Sequence, residues 1–190
     1  AMGADLFGDR HYAIKYADMV IQSYHPVKHI TCGEGGAVFT HDTGIDAKVK
    51  LLRSHGMTKA IDQLEKNDGP WYYEMHEFGF NYRLTDIQAA LGSSQLKKLT
   101  SFVEKRKKIA NVYNESFAEI EVFSIPKVKD GFGHAYHLYP LLIDFDRIAL
   151  SKVDLFNELK NAGIQLQVHY QPVHLQPFYR KRYGFAMGDF

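Results

Sequence analysis

The 190-residue sequence predicts an α/β fold in two parts. Three observations carry this expectation. Two short apolar runs, 18–24 and 37–40, flank a loop that ends in glycines, and both read as buried strands. A long stretch, 85–118, repeats its apolar residues every three or four positions, as a helix does. Beyond it the texture becomes strand, helix, strand. The expected division is therefore 1–118 and 119–190.

The elements follow in order. The run at 18–24 ends at Pro26, which has no N–H for a strand ladder. Residues 26–36 form the loop, and 37–40 the second strand. Asp42 or Thr43 suits the cap of a helix running to about Ser54, with Gly56 at its C-terminal end. Residues 57–80 are polar and aromatic, with Gly69-Pro70 as a breaker, and read as an irregular surface excursion. Thr85 caps the long helical stretch. Ile87, Leu91, Leu96, Leu99, Val103, Ala110, Tyr113 and Phe117 line one face, and Lys97, Lys98, Lys105, Lys107 and Lys108 line the other. A span of this length predicts a break, near Thr100-Ser101. Strands are expected at 134–145 and 164–170. Between them, a helix capped by Ser151 carries Leu155, Phe156 and Leu159 and stops at Gly163.

Composition narrows the function. At 45% hydrophobic and 24% charged residues the chain reads as a soluble globular protein. A net charge of +1 gives no field directed at nucleic acid or membrane, and no apolar run reaches the roughly 20 residues of a membrane span. The 12 Tyr and 13 Phe lack an accompanying basic stripe, so they read as core and interface rather than as base-stacking platforms. A single cysteine, Cys32, fits a reducing compartment, and cytoplasm is the expected location. The opening residues, Ala-Met-Gly-Ala-Asp, do not read as a signal peptide. Both ends read as cut, as in an internal piece of a longer protein.

The chemistry concentrates at one lysine. Lys28 lies in the loop between two strands, five residues after Ser23 and five before Gly33. A lysine that forms a Schiff base needs a firm mount and partial desolvation, which makes its free amine accessible. A phosphate needs hydroxyl and backbone N–H donors nearby, and Ser23 with the glycine turn can supply both. The pattern equally describes an ordinary hairpin turn with an exposed lysine. A metal reading of the ten histidines is weak. His134 and His137 would point to opposite faces of a strand, and one cysteine cannot build a zinc quartet.

Longer motifs add a resemblance. Ser23-Tyr-His-Pro-Val-Lys28-His-Ile-Thr-Cys-Gly-Glu-Gly-Gly36 resembles the lysine segment of the DegT/StrS-type nucleotide-sugar aminotransferases, which use pyridoxal 5'-phosphate (PLP). Arg53-Ser-His-Gly56 resembles that family's Arg-x-His-Gly. Gly79-Phe-Asn-Tyr-Arg-Leu-Thr-Asp-Ile-Gln-Ala-Ala-Leu-Gly92 resembles the segment that one subunit lends to its neighbour's site. Gln167-Val-His-Tyr-Gln-Pro-Val-His174, with Pro177-Phe-Tyr179, resembles the substrate segment of the small domain. Together with His134-Ala-Tyr-His-Leu-Tyr139, it is nearest the members that act on a UDP-linked 4-keto-6-deoxy-N-acetylhexosamine in pseudaminic acid synthesis. The matches cover essentially the whole chain, in order.

The resemblance implies a fold type I, aspartate aminotransferase-like PLP-dependent transferase. The chain would hold the end of the large domain with its connecting helix and most of a small α/β domain. It implies that Lys28 binds PLP covalently and shuttles the proton, and that Ser23 binds the PLP phosphate. Asn81 would bind the phosphate of the partner subunit's PLP, so that the site is shared in a homodimer. Arg83 would help bind an anionic group. Leu166, Gln167, Val168, His169 and Tyr170 would contact the nucleotide sugar. The amino-acid donor implied is glutamate. Cys32 stands where the family often has Thr, a small-for-small change. The family's Asp that pairs with the pyridinium nitrogen falls before the first residue of this chain. Two other readings stand beside this one. Sugar dehydratases on the same scaffold replace the lysine with His, against which Lys28 argues. The 190 residues taken alone would be a non-catalytic folding or dimerisation piece.

Overall fold

The computed structural model describes residues 1–190. They divide into two compact units: Ala1–Tyr113 with Lys127–Leu138, and Asn114–Pro126 with Tyr139–Phe190.

The first unit opens with β1 (Asp5–Leu6) and a short helix α1 (Tyr12–Tyr16). Then come β2 (Val20–Ser23) and β3 (Gly36–Phe39), paired antiparallel with Val20 opposite Phe39 and Ser23 opposite Gly36. The two strands match the apolar runs of the sequence. Helix α2 (Thr43–Arg53) starts where expected, because Asp42 accepts from the Ile45 N–H at 2.9 Å. It ends through Gly56, which sits at φ +69 and donates to Leu51 O at 2.9 Å.

The excursion at 57–80 is irregular apart from a 3₁₀ turn and one short antiparallel pair, β4 (Met57–Thr58) with β5 (Glu74–Met75). Glu74 organises it: its carboxylate accepts from the Glu65 N–H, His76 and the Lys66 N–H. Those donors, the Glu65 N–H foremost, hold its carboxyl down from 4.5 to about 2.

The long helical stretch is two helices, α3 (Asp86–Leu96) and α4 (Leu99–Phe117). Thr85 and Gln88 form a reciprocal capping box at the start of α3. The break falls at Lys97-Lys98, earlier than the expected Thr100-Ser101. There Lys98 N donates three residues back to Gln95 O at 2.9 Å, a tightened last turn that ends α3. The buried side chains, Ile30, Cys32, Val103, Ala110, Ala135 and His29, all belong to this first unit. Its core therefore lies directly beneath the loop of Lys28.

In the second unit β6 (Phe123–Ser124) pairs antiparallel with β8 (Leu142–Ile143). Helix α5 (Lys152–Asn161) is capped by Ser151, whose Oγ accepts from Asp154 N at 3.1 Å, and it stops before Gly163 at φ +80. Two strand expectations fail. Of 134–145 only Leu142–Ile143 is paired: Pro140 has no N–H to give, and Tyr136 turns the chain at φ +47. The remaining pair of the first unit is β7 (Phe132–Gly133), just before that segment, against β1. The stretch 164–170 forms no ladder and is exposed throughout. A strand exists only against a neighbour that offers N–H and C=O groups, and none lies beside this one.

A helix that the sequence reading lacked, α6 (Pro177–Tyr183), follows. It carries Pro at its first position and Gly184 at φ +74 after its end, the usual asymmetry of helix termini.

Large apolar side chains stand exposed in both units, among them Trp71 in the first and Leu142 in the second. Both faces of the β2–β3 hairpin contribute, with Ile21 76% and Phe39 46% exposed. No helix is long and apolar enough to cross a membrane.

Candidate active site

The loop between β2 and β3 is closed by its own backbone. Tyr24 O accepts from Cys32 N at 3.0 Å and from Thr31 Oγ1 at 2.9 Å, while Tyr24 N donates to Gly35 O at 2.8 Å. Within it, Lys28 N donates to His25 O at 2.9 Å and turns the chain at the lysine. Gly33 at φ +83 makes the return turn, a conformation that favours glycine. The next three residues after Gly33 lead into β3, and the three buried side chains His29, Ile30 and Cys32 pin the loop to the core. Lys28 itself is half-buried, so its amine stands on a firm mount at the surface.

One further segment clamps this loop. Gln88 of the α3 capping box donates to Glu34 O at 2.9 Å. Gly92 lies so close that a Cβ there would stand 2.6 Å from Cys32 Sγ, and one on Gly35 would stand 2.8 Å from Leu84 Cδ1. The motif at 79–92 is thus packed on the motif at 23–36. The first of these motifs is in turn zipped to the end of α2. Phe80 N donates to Leu52 O at 2.8 Å, His55 N to Phe80 O at 2.8 Å, and Tyr82 N to Arg53 O at 2.9 Å. Asn81 sits in a bridge opposite Ser54 at the centre of that zipper.

Lys28 meets a residue that the sequence reading did not assign to the site. Its Nζ is 3.3 Å from His137 Nε2. The neighbouring His29 shares a hydrogen bond between its Nε2 and Ala135 O at 2.8 Å, and its ring centroid lies 5.6 Å from that of His137. Arg106, from α4, donates to Tyr136 O at 3.1 Å and to His137 O at 3.4 Å. Burial holds His29 below its ordinary value of 6.5, only partly opposed by the Ala135 carbonyl. His29 is therefore a neutral imidazole near pH 7, with Nε2 protonated to donate to that carbonyl. In the sequence His137 stood out in two ways, as one of the pair His134 and His137, read as two positions of a strand, and within the run His134-Ala-Tyr-His-Leu-Tyr139 of the resemblance; neither placed it beside Lys28. His134 instead turns its Nδ1 to the Tyr136 N–H at 3.2 Å. No group of three or more His, Cys, Asp or Glu is arranged to hold a metal ion.

The other expected site residues are placed as follows. Ser23, the last residue of β2, is exposed, and its Oγ accepts only a long 3.4 Å bond from His25 N. Asn81 and Arg83 are exposed in the zipped segment, and neither hydrogen-bonds to Ser23 or Lys28. Arg83 borders a surface depression with Ser54, Met57, Thr58, Lys59 and Tyr73. Leu166, Gln167, Val168, His169 and Tyr170 lie exposed in the second unit, where the His169 and Tyr170 rings meet edge to face at 4.1 Å.

A lysine on a firmly closed loop, beside an imidazole and one strand end from a serine hydroxyl, defines an α/β protein with an amine-centred site. The signature of the DegT/DnrJ/EryC1/StrS aminotransferase family matches residues 1–190, and the chain belongs to that family. It is 45% identical over 170 residues to the UDP-4-amino-4,6-dideoxy-N-acetyl-beta-L-altrosamine transaminase of Campylobacter jejuni, covering 90% of this chain and 43% of that one. It is 42% identical over 190 residues to an uncharacterized protein of Methanocaldococcus jannaschii, covering 100% of this chain and 49% of the relative. Among solved structures it matches Helicobacter pylori PseC, an aminotransferase involved in the biosynthesis of pseudoaminic acid. That match has a TM-score of 0.83 and 34% identity, over 98% of this chain and 47% of the other. The PLP form of a putative sugar aminotransferase from Streptococcus pneumoniae matches with a TM-score of 0.80 and 29% identity, over 98% and 46%. The chain spans about half the length of the curated relatives it matches. Its fold is the corresponding part of the α/β aminotransferase fold of this family.

Proposed function

We propose that the protein to which these residues belong is a PLP-dependent aminotransferase of nucleotide-linked keto sugars. The observation that carries the reading is the mounting of Lys28: a half-buried amine on a loop closed at both ends, in a chain matched throughout by the family. The residues present fit PLP. Lys28 offers the amine that bonds its aldehyde, and Ser23 offers a hydroxyl, poorly engaged by protein, for its phosphate. When bound, PLP supplies an electron sink for negative charge on the substrate carbon.

The side chains of this chain would do the rest. Lys28 moves the proton in both halves of a ping-pong exchange, first with an amino-acid donor, glutamate, and then with the sugar. Ser23 anchors the phosphate and so sets where the reacting carbon lies. Asn81, held in its zipper, is assigned to the phosphate bound by a partner subunit, which makes the working unit a homodimer. Arg83 is assigned to an anionic group of the ligand. Residues 166–170, with His169 and Tyr170 foremost, are assigned to the nucleotide sugar. The division into a large-domain part, 1–118, and a small-domain part, 119–190, belongs to the same reading, as does a cytoplasmic site of action. The substrate favoured is a UDP-linked 4-keto-6-deoxy-N-acetylhexosamine, supported by the names of the Campylobacter and Helicobacter relatives. Another 3- or 4-amino sugar would use the same residues.

The test is absorbance of the full-length protein with PLP added. A visible band that Lys28→Ala abolishes is the expected result, and persistence of that band in the variant would sink the assignment. Amination of a panel of nucleotide keto sugars then reads the substrate, and turnover only with a dTDP-linked sugar would overturn the UDP-sugar choice.

A further inference from the structure

We infer that His137 is a positioning residue that seats the amine of Lys28 whenever that amine is not bonded to the cofactor. The inference rests on the assignment of Lys28 made above. In a ping-pong exchange the lysine amine would be displaced once and recaptured once per cycle, so it would stand free for part of each half-reaction. A released lysine has four rotatable bonds and three donors, and left to water it would leave the place where its proton is needed. At 3.3 Å, His137 Nε2 is within reach of Lys28 Nζ. An ammonium at Lys28 can only donate, and His137 Nε2 is then the atom placed to accept from it.

The segment that delivers His137 is built for the task. Three successive residues are each fastened through the carbonyl. Ala135 is 1% exposed and its carbonyl is bonded to His29, the residue next to the lysine. Tyr136 turns at φ +47, a backbone region that side chains with a Cβ rarely adopt, and its carbonyl is bonded to Arg106. The His137 carbonyl takes a second bond from the same guanidinium. The Tyr136 turn takes the segment out of strand geometry and lets the imidazole face Lys28. The His29 ring, tilted 45°, closes the flank. A surface lysine with a solubilising role would need none of this.

The experiment measures acetylation of Lys28 by acetic anhydride in the full-length protein without PLP, with exposed Lys59 as the internal reference. Loss of the acceptor in His137→Phe is expected to speed labelling of Lys28 roughly five- to tenfold relative to Lys59. His137→Gln, whose amide oxygen lies close to the position of Nε2, is expected to label at the parent rate. His137→Asn, which carries the same amide on a stem too short to reach, is expected to label like the Phe variant, and it serves in its place if Phe impairs folding. Labelling of the Phe and Asn variants at the parent rate would overturn the inference, and so would a Gln variant that labels as fast as Asn. In protein carrying PLP, His137→Asn is expected to lower kcat and leave the KM for the amino donor unchanged. The Lys28→Ala absorbance test reads the cofactor assignment independently of these rates, so the two ideas fail separately.

Discussion

Replacement of Gly79 by Ala probes the joint that holds Asn81. Gly79 has no left-handed backbone requirement, so the effect is steric alone. A Cβ at this position would run into Gly56 N and stand 2.7 Å from both His55 C and Leu52 O. These are backbone atoms and cannot swing aside. Relief requires the 79–82 segment to lift from the end of α2. That strains or breaks the bonds of Phe80 N to Leu52 O, His55 N to Phe80 O and Tyr82 N to Arg53 O, 2.8, 2.8 and 2.9 Å long. At roughly 0.5–1.5 kcal/mol for each exposed-side bond, and with partial retention, the joint weakens by about 2 kcal/mol. One factor of ten in an opening equilibrium is about 1.4 kcal/mol, so amide hydrogen exchange at Phe80, His55 and Tyr82 should accelerate by roughly thirtyfold. Exchange at Ile21 and Val38 in the β2–β3 hairpin should not change. Unaltered exchange at the three amides in Gly79→Ala would refute the claim that this close approach holds the joint.

Two further outcomes follow from local geometry. Asp42→Ala removes the side-chain acceptor for Ile45 N and should destabilise α2 by about 1 kcal/mol, read as a lower thermal midpoint, with Asp42→Asn restoring most of it. His29 should make stability depend on pH. Burial keeps its folded value below the ordinary 6.5, so the unfolded chain binds the proton first. Its contribution is complete above 6.5 and is lost as the pH falls through that value toward the folded one. Thermal midpoints measured from pH 7.5 down to pH 5.5 should decline less in His29→Gln, which keeps a donor for Ala135 O and does not titrate; an equal decline would assign the effect to other groups, such as His134, which desolvation also holds below 6.5.

Local signals carried much of this structure. Pro26 and the glycines up to Gly36 marked the two ends of the lysine loop, Asp42, Thr85 and Ser151 marked helix starts, and Gly163 a helix stop, because caps and turns are satisfied by residues a few positions apart. Lys28, Ser23 and Asn81 were singled out by the residues around them and by resemblance. Pairing and packing were not legible in the same way. The run at 164–170 suggested a strand that finds no partner, and 134–145 suggested a strand that Pro140 and the Tyr136 turn limit to Leu142–Ile143. The sequence by itself determined the class of fold, the helix caps and the candidate amine. Only the tertiary structure decided that His137, 109 residues further along the chain, stands beside that amine. It also decided that the 79–92 motif is clamped on the lysine loop through Gln88 and Gly92. Such contacts join residues far apart in sequence, and no local periodicity encodes which distant carbonyl or ring will be there to meet them.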